Sequence, residues 1–213
     1  MLIPILPMMS DEDGGLFAGK ITFDGLVPRM VGDRKKVEMV KVKAGTSSEE
    51  RGIVLIIDVK GLQRGNLDDV VLKRLKMRGR TTWFMTTIEN ADDLFDAFNT
   101  DAETVLVPSH TVRSEEDLED ILSVSDSAIP VILVRKRTAV LFGEDMDYRK
   151  AAETILRMGF TAVAVIDLDD SVTEDGWNHL KDMGEIIPCS MTGTIEGERF
   201  EELGFARCLK VLG

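Results

Sequence analysis

Short apolar segments alternate with amphipathic ones along most of the chain, and this alternation predicts β-strands separated by helices. The apolar segments are rich in Val, Ile and Leu with few polar interruptions, as expected of strands covered on both faces. We predict strands at Leu2–Leu6, Ile53–Val59, Thr82–Thr87, Thr104–Val107, Ile129–Val134, Thr161–Leu168, Glu185–Cys189 and Ala206–Val211. The helical patterns lie between them, at Asn66–Met77, Ala91–Phe98, Ser114–Ser123, Tyr148–Met158, Thr173–Met183 and Glu196–Leu203.

The regular spacing of these strands predicts an architecture. From Ile53 to Ala206 the strands start about every 25 residues, which is the length of one unit in a small (β/α)8 barrel. Together with the N-terminal strand they predict an α/β fold of the (β/α)8 (TIM) barrel class, with residues 1–213 as a single domain. Residues 8–52 are glycine-rich and interrupt the pattern. We expect an irregular insertion there, a long loop or a hairpin, and in either case one poorly defined helix besides.

Three short matches in the same order indicate an internal repeat. Ile3–Leu6 matches Ile129–Ile132, Ile57–Lys60 matches Ile166–Asp169, and Thr87–Asn90 matches Thr194–Gly197. The matches pair predicted strands one and five, two and six, and three and seven, so they predict two duplicated half-barrels of about residues 1–127 and 128–213. An open doubly wound sheet, the rival fold, gives no reason for this register.

The charge balance narrows the choice of partners. The 26 basic and 38 acidic residues give a net charge of −12, whereas nucleic acids and anionic membranes select clusters of Lys and Arg. We therefore expect neither as a partner. No apolar run approaches the roughly 20 residues of a membrane helix. The N-terminus lacks the features of a signal peptide, so we expect a cytoplasmic chain. Cys189 and Cys208 lie in apolar segments and are expected to be buried thiols.

Charged residues follow several predicted strands, where (β/α)8 barrels carry their chemistry. Asp58 and Lys60 follow one strand, and Asp167 and Asp169 follow another. Residues i and i+2 share a strand face, so each pair could point into one cavity, where close carboxylates suit general acid and base roles. Asp58, Asp167 and His110 are candidates for proton transfer, with Lys60 as their electrostatic partner. The alternative is a set of ion pairs, or charges that face the helices.

A segment with a glycine and several hydroxyl residues follows the seventh predicted strand and opens a helix. Free N–H groups at a helix start bind phosphate, and a phosphate site is common at this point of (β/α)8 barrels. We therefore predict binding of a small phosphorylated metabolite. The candidate ligand-binding residues are Ser190, Thr192, Gly193, Thr194, Thr87, Ser109 and Asp169. The alternative is helix capping by Thr194 and Thr87, which needs no ligand.

We expect neither a metal nor a cofactor. The two histidines show no convergent spacing with cysteines, which argues against a zinc site. A divalent cation held by Asp58, Asp167 and Asp169 stays open as an alternative. Lys60 or Lys136 could form a Schiff base only if burial lowered its pKa, and each stands beside other charged residues.

Three segments carry a resemblance to a known family. Leu2–Pro7 is similar to a first strand written I-I-P-V-L-D, Gly159–Asp169 is similar to G-x-x-x-(I/L)-x-V-x-D-L-D, and Ala102–Val112 is similar to V-x-x-V-x-x-G-T-E-T-L. With the half-barrel repeat, these segments resemble the histidine-biosynthesis ribotide isomerase and cyclase family, especially its archaeal isomerase-like paralogues. The resemblance implies a barrel of the ribulose-phosphate-binding type and a phosphosugar site.

The chain departs from that family at the positions that carry its catalysis. The family's general acid and base are two aspartates, which fall here on Pro7 and Val134, and its phosphate loops are reduced to Gly193 and at best Gly213. Losing a positioned acid or base costs about 10²–10⁴-fold each, so we do not expect the isomerase activity. Two functions stay open. One is an isomerase-like protein acting on another small phosphorylated metabolite. The other is a catalytically inactive barrel acting as a binding, regulatory or subunit-type protein, which could form a homo-oligomer.

Overall fold

The protein is a mixed α/β structure built around a ten-stranded sheet. The structure is a computed structural model that describes residues 1–36, 52–68, 70–71, 81–193, 195 and 197–211. In these ranges the strands are β1 Leu2–Ser10, β2 Leu16–Asp24, β3 Val27–Lys36, β4 Ile53–Asp58, β5 Thr81–Met85, β6 Thr104–Pro108, β7 Ala128–Val134, β8 Thr138–Leu141, β9 Glu144–Asp147, β10 Ala162–Asp167, β11 Glu185–Ser190 and β12 Cys208–Val211. The helices are α1 Val59–Arg64, α2 Ala91–Phe98, α3 Glu115–Val124, α4 Tyr148–Met158, α5 Glu174–Met183 and α6 Gly197–Glu202.

Local signals account for most of these elements. Helices α2 and α4 have the predicted bounds, because Asn90 and Asp147 accept hydrogen bonds from the first N–H groups of each helix. The predicted helix at Asn66–Met77 lies largely outside the described residues. The sequence did not predict α1, which follows β4 without a loop, or the separate two-stranded hairpin β8–β9. No helix in the described ranges is long and apolar enough to cross a membrane.

Eight strands of the large sheet run parallel and keep their chain order. The hydrogen-bonded order is β11-β10-β7-β6-β5-β4-β1-β2-β3, and β12 pairs in parallel with the first half of β1. The last residues of β1 pair instead with β2, in the antiparallel direction. All eight parallel strands therefore end at the same edge of the sheet, and this edge holds the residues predicted to carry chemistry.

The predicted (β/α)8 barrel of the ribulose-phosphate-binding type, built from two half-barrels, is wrong. The sheet has ten strands instead of eight, and β1 is followed by the antiparallel hairpin β2–β3 instead of a helix. The described ranges contain only six helices, and no hydrogen-bonded ladder joins β11 to β12 there. A constant spacing predicts which parallel strands are neighbours. It does not determine whether the outer strands pair or whether each strand is followed by a helix.

Part of the segment predicted as an irregular insertion is regular structure. Within residues 8–52, β1 continues to Ser10, and β2 and β3 form the hairpin that was one of the two expected forms. The hairpin turns at Gly25, and its pairing shifts register between Ala18 and Lys20. Residues 37–51 lie outside the described residues.

The two faces of the large sheet are buried in different ways. One face, with Ile56 and Ile132, forms a core with residues of the helices. The other face, with Leu55 and Val131, is equally buried, yet its core consists of strand residues apart from those of α1. The sheet therefore curves towards this second face, which we call the concave face. Side chains of its strands fill the space inside the curve.

The β2–β3 hairpin lies over the end of the concave face where the parallel strands finish. It leaves the carboxyl end of β1, and its residues Ile21 and Met30 are only 7% and 9% exposed within the concave-face core. Its tip, at Gly25 and Leu26, lies beside Arg135 at the end of β7. Apolar side chains thus cover the region where an open catalytic cavity was predicted.

Candidate functional site

The carboxyl ends of the parallel strands carry the predicted catalytic residues, but in separate hydrogen-bonded clusters. Asp58 and Lys60 follow β4, whereas Asp167 ends β10 and His110 follows β6. None of the hydrogen bonds among the described residues joins the cluster around Asp58 to the cluster around Asp167. The single cavity predicted to contain these carboxylates is therefore divided into local networks, each of which must be considered by itself.

Asp58 is a buried helix cap. Its carboxylate accepts hydrogen bonds from the backbone N–H of Gly61 at 2.8 Å, the N–H of Asp68 at 3.0 Å and the hydroxyl of Thr86 at 3.0 Å. A side chain at Gly61 would collide with this carboxylate, so glycine is required there. Burial raises the pKa of Asp58 above its ordinary value, although these donors oppose the shift. The carboxylate stabilises the start of α1 and has no exposed face for a substrate.

Lys60 belongs to the same cluster. Its ammonium donates to the hydroxyl of Ser10 at 2.5 Å and lies 3.8 Å from the carboxylate of Asp68. The Asp68 carboxylate also accepts the N–H of Ser10. The side chain of Lys60 is 20% exposed and that of Asp68 only 4%. This arrangement joins β1 to the segment after α1, and it matches the structural alternative of an ion pair at the strand ends.

Asp167 organises the loop that follows β10. Its carboxylate accepts the backbone N–H of Val172 at 2.9 Å and that of Ser171 at 3.2 Å. Burial is the largest cause that raises its pKa. Like Asp58, Asp167 is buried, and both of its carboxylate oxygens accept hydrogen bonds from backbone N–H groups.

Asp169 holds a neighbouring turn. Its two carboxylate oxygens accept the backbone N–H of Lys136 at 3.2 and 3.0 Å, and the hydroxyl of Ser171 accepts the N–H of Arg137 at 3.0 Å. The loop after β10 therefore fixes the turn between β7 and β8. Asp167 acts on that turn indirectly, because it positions the loop.

Thr87 and Ser109, both predicted to bind ligand, bind backbone instead. The Thr87 hydroxyl donates to the carbonyl of Gly61 at 2.9 Å, and the Ser109 hydroxyl donates to the carbonyl of Val140 at 2.7 Å. Both residues are buried. The Thr87 hydroxyl thus ties the end of β5 to α1, and the Ser109 hydroxyl ties the end of β6 to β8.

His110 is the one predicted catalytic residue with an unused polar atom. Its Nδ1 is buried and has no hydrogen-bond partner in the described part of the chain. Burial lowers the pKa of His110 to about 4, so the imidazole is neutral at pH 7. No carboxylate of the described residues is hydrogen-bonded to this Nδ1.

Some of the residues predicted to bind phosphate after β11 lie at a small cavity. Ser190 and Gly193 line a cavity of about 200 Å³ with Lys210. The ammonium of Lys210 lies 2.6 Å from Glu198, so its charge is already compensated. Ser190 and Thr192 both donate hydrogen bonds to Asp170. Thr194 lies outside the described residues. A carboxylate beside these hydroxyls disfavours a phosphate group at this place.

A larger cleft, which sequence reasoning missed, opens beside the turn between β7 and β8. Its volume is about 490 Å³, within the range typical of small-molecule sites. It is lined by Gly25, Leu26, Arg135, Lys136, Thr138, Ala139, Val140 and Asp145. We call it the β7–β8 cleft. One wall is the tip of the β2–β3 hairpin, the other is the β8–β9 hairpin, and two cationic side chains lie between them.

The turn that carries these cations has an unusual backbone. Arg135 and Thr138 exchange two backbone hydrogen bonds around a two-residue turn, and both central residues are left-handed, Lys136 at φ 52° and Arg137 at φ 64°. Such turns favour Asn-Gly or Asp-Gly, and each residue with a bulkier side chain costs about 1–2 kcal/mol. Strain of this kind clusters at functional sites. The sequence signal was three consecutive cations in an acidic chain, directly after an apolar strand.

Other expectations can be compared with the described residues. Cys189 and Cys208 are free and buried, as predicted, and burial raises the pKa of the Cys189 thiol to about 12. No group of three or more His, Cys, Asp or Glu residues in the described ranges could hold a metal ion. No protein-family model matches the chain, and no curated protein is significantly similar to it.

Proposed function

We propose that this protein binds a small phosphorylated metabolite in the β7–β8 cleft and does not convert it chemically. The observation that carries the proposal is the pair of cationic side chains, Arg135 and Lys136, on a strained turn beside a cleft of about 490 Å³. Their side chains form no ion pair or hydrogen bond with other described residues. Two uncompensated cations at such a cleft suit a dianionic phosphate, since hydrogen bonds between charged partners are the strong ones.

The surroundings of the cleft favour an anion over other ligands. The chain as a whole carries a charge of −12, so an anion is repelled from most of its surface. The carboxylate of Asp169 accepts the backbone N–H of Lys136 and forms no ion pair with the side chains of Arg135 or Lys136. The same contact holds the turn between β7 and β8 in position. The cleft is lined by two cations and one carboxylate, Asp145, so its lining is net positive.

The absence of catalysis is supported by how the candidate acids and bases are used. The carboxylates of Asp58 and Asp167 are buried and accept hydrogen bonds from backbone groups. The positions that the resemblance assigns to acid and base are Pro7 and Val134, both buried. The resemblance to the ribotide isomerase family itself stays a prediction. The β2–β3 hairpin, with Ile21 and Met30, further limits access to the strand ends.

Calorimetric titration tests the proposed site. Wild-type protein should bind ribose 5-phosphate, and Arg135→Ala or Lys136→Asn should each weaken binding by about tenfold or more, as expected when a charged hydrogen bond is lost. Asn is chosen at position 136 because it tolerates the left-handed backbone. Lys150→Ala is the matched control, because Lys150 is an exposed cation on α4 that does not line the cleft. Absence of binding at millimolar ligand, or equal loss in the control, would overturn the proposal.

We further propose that the protein acts in the cytoplasm, without nucleic acid or membrane partners. Two free, buried cysteines support a reducing compartment, and the acidic charge opposes polyanionic partners. A homo-oligomer stays a prediction, which sedimentation of the purified chain would check.

A further inference from the structure

We propose that Asp145 makes the β7–β8 cleft selective for phosphate esters that carry a hydroxyl or amino group near the phosphate. This inference rests on the proposed function and deepens it. It starts from the charges that line the cleft: Arg135 and Lys136 are cationic, and Asp145 is the one carboxylate among the described lining residues. A ligand that satisfies all three must carry both an anionic group and a hydrogen-bond donor.

The strand pairing determines where Asp145 lies. In the β8–β9 hairpin, Asp145 is directly opposite Val140. Side chains opposite each other in an antiparallel pair lie on the same face, as do alternate residues of one strand. Thr138, Val140 and Asp145 therefore share one face of the hairpin, and all three line the cleft. Leu141 lies on the opposite face, is buried in the core and does not line the cleft. Glu144 is opposite Leu141 and lies on the other face.

The Asp145 carboxylate is also available for a ligand. It is exposed, and among the described residues no ion pair or hydrogen bond engages it. The next carboxylate of the hairpin, Asp147, is already used, because it caps α4 and pairs with Arg149 at 2.9 Å. Asp145 is thus the carboxylate of this hairpin that can accept a hydrogen bond from a ligand in the cleft.

Electrostatics then define the ligand class. A second anionic group of a ligand, such as the far carboxylate of a dicarboxylate or a further phosphate, would face Asp145 and be repelled. A hydroxyl or ammonium group would instead donate to it. A site that hydrogen-bonds a ligand hydroxyl rejects analogues that lack the hydroxyl, because the polar group of the site is then left unpaired. Phosphorylated polyols, sugars and amino compounds fit this description.

The test compares two ligands of equal carbon number, glycerol 3-phosphate and propyl phosphate, by calorimetry. The wild type should bind glycerol 3-phosphate about tenfold more tightly, as expected for hydrogen bonds to a charged acceptor. In Asp145→Ala this ratio should fall to about one, with propyl phosphate bound at least as tightly as before. Glu144→Ala, one residue away on the opposite face, should keep the wild-type ratio. Both positions are exposed, and thermal unfolding checks that both variants fold.

The outcomes separate this inference from the function on which it rests. If wild-type protein binds both ligands equally, or if Asp145→Ala keeps the wild-type ratio, selection by Asp145 is wrong while phosphate binding stands. If neither ligand binds, the proposed function fails and the inference fails with it.

Discussion

Asp58 and Asp167 have the same role at the ends of two different strands. Each is the last residue of a buried strand, and each carboxylate accepts hydrogen bonds from the backbone that follows. A short acidic side chain suits this role, because it can reach N–H groups two to five residues ahead. In the structure, both carboxylates support the loops that follow their strands.

Removal of the Asp58 carboxylate should destabilise the protein without affecting ligand binding. Asp58→Ala leaves the N–H groups of Gly61 and Asp68 and the hydroxyl of Thr86 without their acceptor. We expect a loss of about 2–4 kcal/mol in the free energy of unfolding, measured by chemical denaturation. Asp126→Ala, at an exposed position, should change this free energy by less than about 0.5 kcal/mol. If the variant were instead stable and no longer bound ribose phosphate, Asp58 would be a binding residue and its structural role would be wrong.

His110 should make the protein sensitive to acid. Burial lowers its pKa in the folded state to about 4 from an ordinary value of 6.5. A lowered pKa contributes stability that is complete above pH 6.5 and is lost as the pH falls towards 4. Relative to His110→Gln, which does not titrate, the wild type should lose up to about 3 kcal/mol between these pH values. Unfolding curves at pH 7 and pH 4.5 measure the difference, and parallel losses in the two proteins would contradict it.

At the scale of elements, the turn between β7 and β8 lowers the stability of the fold, because its two cationic central residues adopt left-handed backbone conformations. Glycine would adopt these backbone angles without strain, whereas Lys136 and Arg137 do not. Asp169 and Ser171, in the loop after β10, accept hydrogen bonds from the N–H groups of these two residues. The turn is therefore determined by contacts with the β10 loop and by its own pairing. Its local sequence alone does not favour it.

Glycine in this turn should separate stability from binding. Lys136→Gly and Arg137→Gly should each raise the free energy of unfolding by up to about 1 kcal/mol, because glycine adopts positive φ without strain. Lys136→Gly should weaken phosphate binding, since Lys136 lines the cleft, whereas Arg137→Gly should not, since Arg137 is absent from the lining. Thermal unfolding and calorimetry on the same samples provide both values. If both variants bound phosphate with the same affinity, Lys136 would not be a binding residue of the cleft.

At the scale of the whole molecule, the β2–β3 hairpin completes the core. The concave face has only α1 beside the strands in the described ranges, and the hairpin covers its end with Ile21 and Met30. The hairpin tip also forms one wall of the β7–β8 cleft. Folding of the hairpin onto the sheet and formation of the cleft are therefore coupled.

Truncation of an inward residue of the hairpin should test this coupling. Ile21→Ala should cost about 2–4 kcal/mol of stability, as expected for a large side chain removed from a core. Hydrogen exchange of β2 and β3 should rise with it, and phosphate affinity should fall. Val31→Ala, on the exposed side of the same hairpin, is the control and should have little effect. Unchanged hydrogen exchange and unchanged phosphate affinity in Ile21→Ala would contradict this coupling.

The candidate site was only partly accessible from the sequence. Strand ends could be located, so Asp58, Asp167 and His110 were correctly expected at one edge of the sheet. Whether a carboxylate there faces a ligand or caps a helix depends on which N–H groups come within 3 Å, and the sequence does not contain that information. The β7–β8 cleft was missed because Gly25 and Arg135, which meet there, lie in elements far apart along the chain.

Most strands and helices could be located from the amino-acid sequence, because apolar periodicity and helix caps act over a few residues. The position of charged residues at the strand ends follows from the same local patterns. The ten strands of the sheet, the hairpin over the concave face and the cleft shared by Lys136 and Asp145 became visible only in the folded structure. These features depend on contacts between residues far apart in the sequence. Local patterns do not determine which distant strands pair or which side chains are buried together.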